Sequence, residues 1–93
     1  MARINFDEFV LFKSIDGSET EVLNVRRVFA KELYTRGQGI ECHALALKIF
    51  NGDGAQEFSA EECRLMTVFA EQIMTPNFID SLNFLISSSN EKG

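Results

Sequence analysis

The sequence holds one histidine, two cysteines and one proline, and every apolar run falls far short of a membrane span. A single histidine, with no nucleophile-elbow pattern around any serine, gives no basis for a Ser-His-Asp triad. Cys42, His43 and Cys63 are the only residues that suggest a zinc site, yet zinc takes four such ligands, usually in closely spaced pairs. Cys42 and His43 are neighbours on a predicted helix and so point about 100° apart, which also excludes a Cys/His nucleophilic pair. They read as buried thiols and an ordinary histidine. No leader-like segment opens the chain, and its thiols stand in apolar surroundings, so the expectation is a reduced cytoplasmic protein with no membrane attachment.

Positive charge is also scarce. Nine Lys and Arg stand against fourteen Asp and Glu, a net charge of -5, which argues against binding to a nucleic-acid backbone. The exception is Val25 to Arg36, where Arg26, Arg27, Lys31 and Arg36 face only Glu32 and give a local excess of basic charge. Such a patch suits either a solvated helix face or an acidic partner. At 93 residues the chain makes one domain that buries roughly 60–65% of its unfolded surface and folds without a staple.

The pattern along the chain predicts an N-terminal hairpin followed by four helices, a mainly α (α+β) fold over residues 1–86 with a polar, disordered tail at 87–93. Met1 to Phe9 is ambiguous. Val10–Ser14 and Thr20–Asn24 flank an Asp16-Gly17 turn signal. Asn24 caps a helix to about Arg36, with Val25, Val28, Phe29 and Leu33 inward and Arg26, Arg27 and Lys31 outward. Gly37 and Gly39 end it. The second helix, Ile40–Phe50, is apolar on most sides and is expected to be the innermost. The third runs from Ala60 to Ile73 with Met66, Phe69, Ala70 and Ile73 inward. Thr75 and Pro76 start the fourth, which carries Phe78, Ile79, Leu82, Leu85 and Ile86 on one face.

The joint between the second and third helices carries the one hint of ligand chemistry. With Asn51 in first position, a twelve-residue calcium-loop register places Asp53, the Glu57 carbonyl, Ser59 and Glu62 as ligands, with Phe58 in the apolar eighth position. Ala55 stands where a ligand oxygen is needed and Gln56 where glycine makes the turn. A capping box explains the same residues: the Ser59 hydroxyl takes an orphan amide and Glu62 reaches back to the Ser59 amide. Gly52-Asp53-Gly54 lacks the lysine and the spacing of a phosphate loop.

No cofactor, catalytic group or second domain is announced. The apolar residues off the inward stripes, Tyr34, Leu65, Val68 and Phe84, are the candidates for a surface that binds a protein partner or a second copy. The segments Phe29–Tyr34, Leu45–Phe50, Phe58–Glu62 and Thr75–Phe78 resemble small proteins encoded in bacteriophage or prophage genomes, over residues 20–86. That resemblance implies a bacterial or phage cytoplasmic setting and supplies no catalytic residue. The expected function is a non-catalytic interaction module; the alternative is a weak calcium-binding helix-loop-helix using Asn51, Asp53, Ser59 and Glu62.

Overall fold

In β1 (Ala2–Asn5), Ala2 and Ile4 are buried while Arg3 is exposed, the two-residue period of a strand with one covered face. The Asn5 side-chain carbonyl accepts from the amides of Asp7 (2.9 Å) and Glu8 (3.2 Å). This folds Phe6–Glu8 into a 3-10 turn and drops the Phe6 ring into the core. β2 (Phe9–Phe12) then pairs antiparallel with β3 (Thr20–Leu23), Phe9 opposite Leu23 and Phe12 opposite Thr20. Asp16 organises the connecting turn. Its Oδ1 accepts from the Ser18 amide and from the hydroxyls of Ser14 and Ser18, and these bonds, the Ser18 amide foremost, bring its pKa down to about 2. The following Gly17 takes φ of +74°, a conformation that costs a side chain energy.

The computed structural model describes residues 2–91. After the hairpin come α1 (Arg26–Arg36), α2 (Gly39–Asn51), β4 (Ala55–Phe58), α3 (Ala60–Ile73) and α4 (Pro76–Glu91). β4 pairs antiparallel with β1, Ala2 opposite Phe58 and Asn5 opposite Ala55. The fold is mainly α, α+β in class, with the hairpin packed on a four-helix unit. The β1–β4 ladder is an addition to the sequence-based expectation, which read Ala55–Phe58 as part of a loop.

Aromatic rings build the core where strands meet helices. Phe9 stacks on Phe78 at 4.8 Å between centroids, Phe78 lies 5.1 Å from Phe29, and Phe29 lies 5.4 Å from Phe6. Offset rings at these separations add to the gain from area burial. Met66, Phe69 and Ala70 of α3 close the cluster, and Leu82 of α4 is fully buried. No helix among the described residues is long and apolar enough to cross a membrane.

α4 also serves the strands with its polar groups. The Ser81 hydroxyl accepts the Phe12 amide at 2.8 Å and donates to the Asn77 carbonyl at 2.7 Å. Asn77 Nδ2 donates to the Phe12 carbonyl at 3.0 Å, and Ser89 Oγ accepts the Arg3 amide at 2.6 Å. The strand groups left unpaired by two-stranded ladders thus find partners on one helix face. Residues 87–91, read from the sequence as part of a polar, disordered tail, continue α4. Residues 92–93 lie outside the described residues.

Three further expectations change. Val25 rather than Asn24 is the cap residue of α1, and Asn24 instead accepts the Arg26 amide at 3.1 Å. Val28 is 56% exposed, whereas Arg26, read as outward, is 5% exposed. α2 is not innermost: it buries Cys42, Leu45, Ala46 and Ile49 but leaves Ile40, Leu47 and Phe50 at the surface. A domain this small covers only one side of the α1–α2 pair, so the other apolar side of α2 stays uncovered.

Candidate functional site

The uncovered side of α2 meets α1 in a groove of about 390 Å³ lined by Arg27, Ala30, Lys31, Tyr34, Ala46, Leu47 and Phe50. Its walls follow from helical periodicity. Arg27, Lys31 and Tyr34 stand at i, i+4 and i+7 on α1, and His43, Leu47 and Phe50 at the same spacing on α2, so each triplet forms one stripe. Tyr34 and His43 meet at one end, ring centroids 5.6 Å apart. Ala30 and Ala46, both buried, form the floor. Small residues there leave a hollow between the larger side chains of the rims. Tyr34 is 60% exposed, Phe50 53% and Leu47 42%.

Charge divides this region into a paired and an unpaired part. Arg26 is turned inward: Nε donates to Asp7 Oδ1 at 2.8 Å, one Nη donates to the Ile49 carbonyl at 2.9 Å and to Gln56 Oε1, and the other donates to the Gly54 carbonyl at 2.8 Å. Arg36 pairs with Glu32 at 3.1 Å. Among the described residues, Arg27 and Lys31 take part in no ion pair, and both line the groove. The basic segment seen in the sequence therefore resolves into one buried structural arginine, one paired surface arginine and two cations that line apolar surface.

Arg26 also fixes the wall. By holding the Ile49 carbonyl it ties the last turn of α2, and with it Phe50, to the start of α1. Asp7 completes the tie, its Oδ2 accepting the Gly54 amide at 2.8 Å. The Arg26 side chain, the Gly54 amide and the guanidinium charge hold the Asp7 carboxyl below its ordinary range, against a smaller opposing effect of burial. Gly54 adopts φ of +58° in this loop, and a Cβ at Gly52 would overlap the Gln56 amide.

The four calcium candidates hold other positions. Asn51 ends α2, Asp53 is exposed, and Ser59 and Glu62 form the capping box, Ser59 Oγ accepting the Glu62 amide at 3.1 Å and Glu62 Oε1 the Ser59 amide at 2.8 Å. Lys48 Nζ stands 2.9 and 3.1 Å from the two Glu62 oxygens and 2.7 Å from the Glu57 carbonyl, and lies 4.7 Å from the centroid of the Phe58 ring. A fixed ammonium thus occupies two of the oxygen donors that the calcium register assigns to a metal. Burial raises the Glu62 pKa, but the Ser59 amide and Lys48 outweigh it and leave the carboxyl low.

The four surface candidates occupy different surroundings. Tyr34 belongs to the groove; Leu65 and Val68 line a shallow hollow with Glu41, Glu61 and Arg64; the Phe84 ring lies 5.7 Å from that of Phe12. Val68 and Phe84 are both exposed. Leu47 and Phe50 escaped the sequence reading because apolar residues at helical spacing signal a core face. The available clue was that α2 is apolar on more sides than one neighbour can cover. Cys42 and Cys63 are free and buried, while His43 lies on the exposed side. Burial, then the Glu62 charge, raises the Cys63 pKa, making its thiolate scarcer. The chain matches no protein-family model, no curated protein and no solved structure.

Proposed function

We propose that the chain is a non-catalytic interaction module that binds another protein through its helical surface. The observation that carries this reading is the apolar α1–α2 groove, which exposes Tyr34, Leu47 and Phe50 beside Arg27 and Lys31, two cations with no ion pair among the described residues. Contiguous exposed apolar surface rimmed by polar groups is characteristic of partner sites. The carboxylates with lowered pKa values support a structural rather than a catalytic use: Asp7 holds Arg26, Asp16 closes the hairpin turn, and Glu62 closes the α3 cap. A cytoplasmic phage or mobile-element setting belongs to the same proposal and is supported by the four resembling segments.

Site-resolved crosslinking tests the reading. A photo-crosslinking residue at position 50, with the hairpin-turn position 16 as control, is introduced in the cell that makes the protein. The expected result is a discrete adduct with another protein from position 50 and none from position 16. Equal adducts from both positions, or none from either while the protein is present and folded, would overturn it.

A further inference from the structure

The geometry points to the occupant of the α1–α2 groove: an acidic amphipathic helix of another protein, which seats apolar residues between Tyr34, Leu47 and Phe50 and sets its Asp or Glu side chains against Arg27 and Lys31. This inference rests on the interaction reading above and specifies the partner's chemistry.

The partner's secondary structure follows from the groove's walls. Both walls are α-helices whose backbone groups are bonded within the helix, so they offer no strand edge for an incoming chain to extend. An occupant of an apolar groove must then satisfy its own backbone, as a helix does. A helix presents side chains at i, i+4 and i+7 along one line, the spacing that both groove walls also use. The hollow of about 390 Å³ falls within the range of sites that hold compact apolar groups.

The partner's sign follows from the charge. Arg27 and Lys31 are the rim's charged groups and, among the described residues, neither has an anionic partner. A second copy of this chain fits poorly. The groove lining carries no Asp or Glu, so a two-fold contact through it would set no carboxylate against Arg27 or Lys31. An acidic helix supplies those carboxylates.

The experiment is fluorescence anisotropy of the whole protein with two labelled, end-blocked peptides. One is an amphipathic helix with leucines at i, i+4 and i+7 and glutamates on the flanks; its twin carries lysine for each glutamate. The expected result is about tenfold tighter binding of the acidic peptide at low salt, the size of exchanging attraction for repulsion at two rim cations, with the difference shrinking at high salt. Arg27→Glu with Lys31→Glu should reverse the preference, and Phe50→Ser should weaken both peptides while leaving the thermal midpoint in place. Equal binding of the two peptides overturns the acidic partner. If neither peptide binds while the position-50 adduct persists, the helical partner is wrong and the interaction reading stands. If neither binds and no adduct forms, both fall. A Phe50-dependent dimer by light scattering would assign the groove to a second copy and overturn the inference.

Discussion

Arg26 Nε donates to Asp7 Oδ1 at 2.8 Å, joining the start of α1 to the turn after β1 across nineteen residues of sequence, while Asp7 Oδ2 takes the Gly54 amide. One guanidinium and one carboxylate thereby link the N-terminal turn, the first helix, the end of the second helix and the loop before β4. Arg26 is buried and its donors go to two carbonyls, an amide oxygen and one carboxylate. Such a charge is tolerated only while its partners remain.

Removing the guanidinium should therefore be costly. Arg26→Met is expected to lower stability by about 1–3 kcal/mol, the range for buried acceptors left without their donor, measured by urea unfolding. It should also loosen the groove, since the Ile49 carbonyl loses its donor. A variant as stable as the parent would remove Arg26 from the structural role assigned here.

Acid should act through the same pair. The folded-state pKa of Asp7 lies below its ordinary value, so its stabilising effect is fully present above that value and disappears as pH falls through the lowered one. Glu62 is shifted in the same direction. The thermal midpoint should thus fall as pH drops below about 4. Asp7→Asn should show a lower midpoint at neutral pH and a shallower fall in acid. Parallel pH curves for parent and variant would contradict the coupling.

Ser81 offers a test of how α4 serves the hairpin. Ser81→Ala leaves the Phe12 amide without its hydroxyl acceptor and is expected to cost about 1–3 kcal/mol, the range for an orphaned, partly buried donor. Hydrogen exchange at the Phe12 amide should accelerate. Unchanged exchange would show that this bond does not hold the hairpin to the helix.

Two leucines two residues apart, on opposite sides of α2, should behave differently. Leu45 is buried and Leu47 lies on the groove. Leu45→Ala should cost about 2–5 kcal/mol through lost burial and a cavity. Leu47→Ser should leave the thermal midpoint nearly in place, which calorimetry would read directly.

Calcium at millimolar concentration should leave the thermal midpoint unmoved, because Lys48 already neutralises Glu62 and Glu57 contributes its carbonyl to the same ammonium. Glu62→Gln keeps an acceptor for the Ser59 amide and should lower stability by less than about 1 kcal/mol, through the lost Lys48 pair. A calcium-dependent rise in the parent that Glu62→Gln removes would restore the metal reading.

Local chemistry settled what lay within a few residues. Ser59 and Glu62 close the expected capping box, α3 spans Ala60–Ile73 as its periodicity predicts, Pro76 opens α4, and the Asp16-Gly17 signal lies in the turn of a hairpin. Each depends on contacts between near neighbours, so the residue types alone specify it. Tertiary structure decided what depended on distant partners. Periodicity assigned Arg26 to solvent because the Asp7 carboxylate and the Gly54 carbonyl that bury it come from remote segments. It assigned Leu47 and Phe50 to the interior because an apolar stripe looks the same whether or not a neighbour covers it. The pairing of β1 with β4, and the groove between α1 and α2, arise only when the chain returns on itself, since packing, not local preference, determines which apolar surface is left bare.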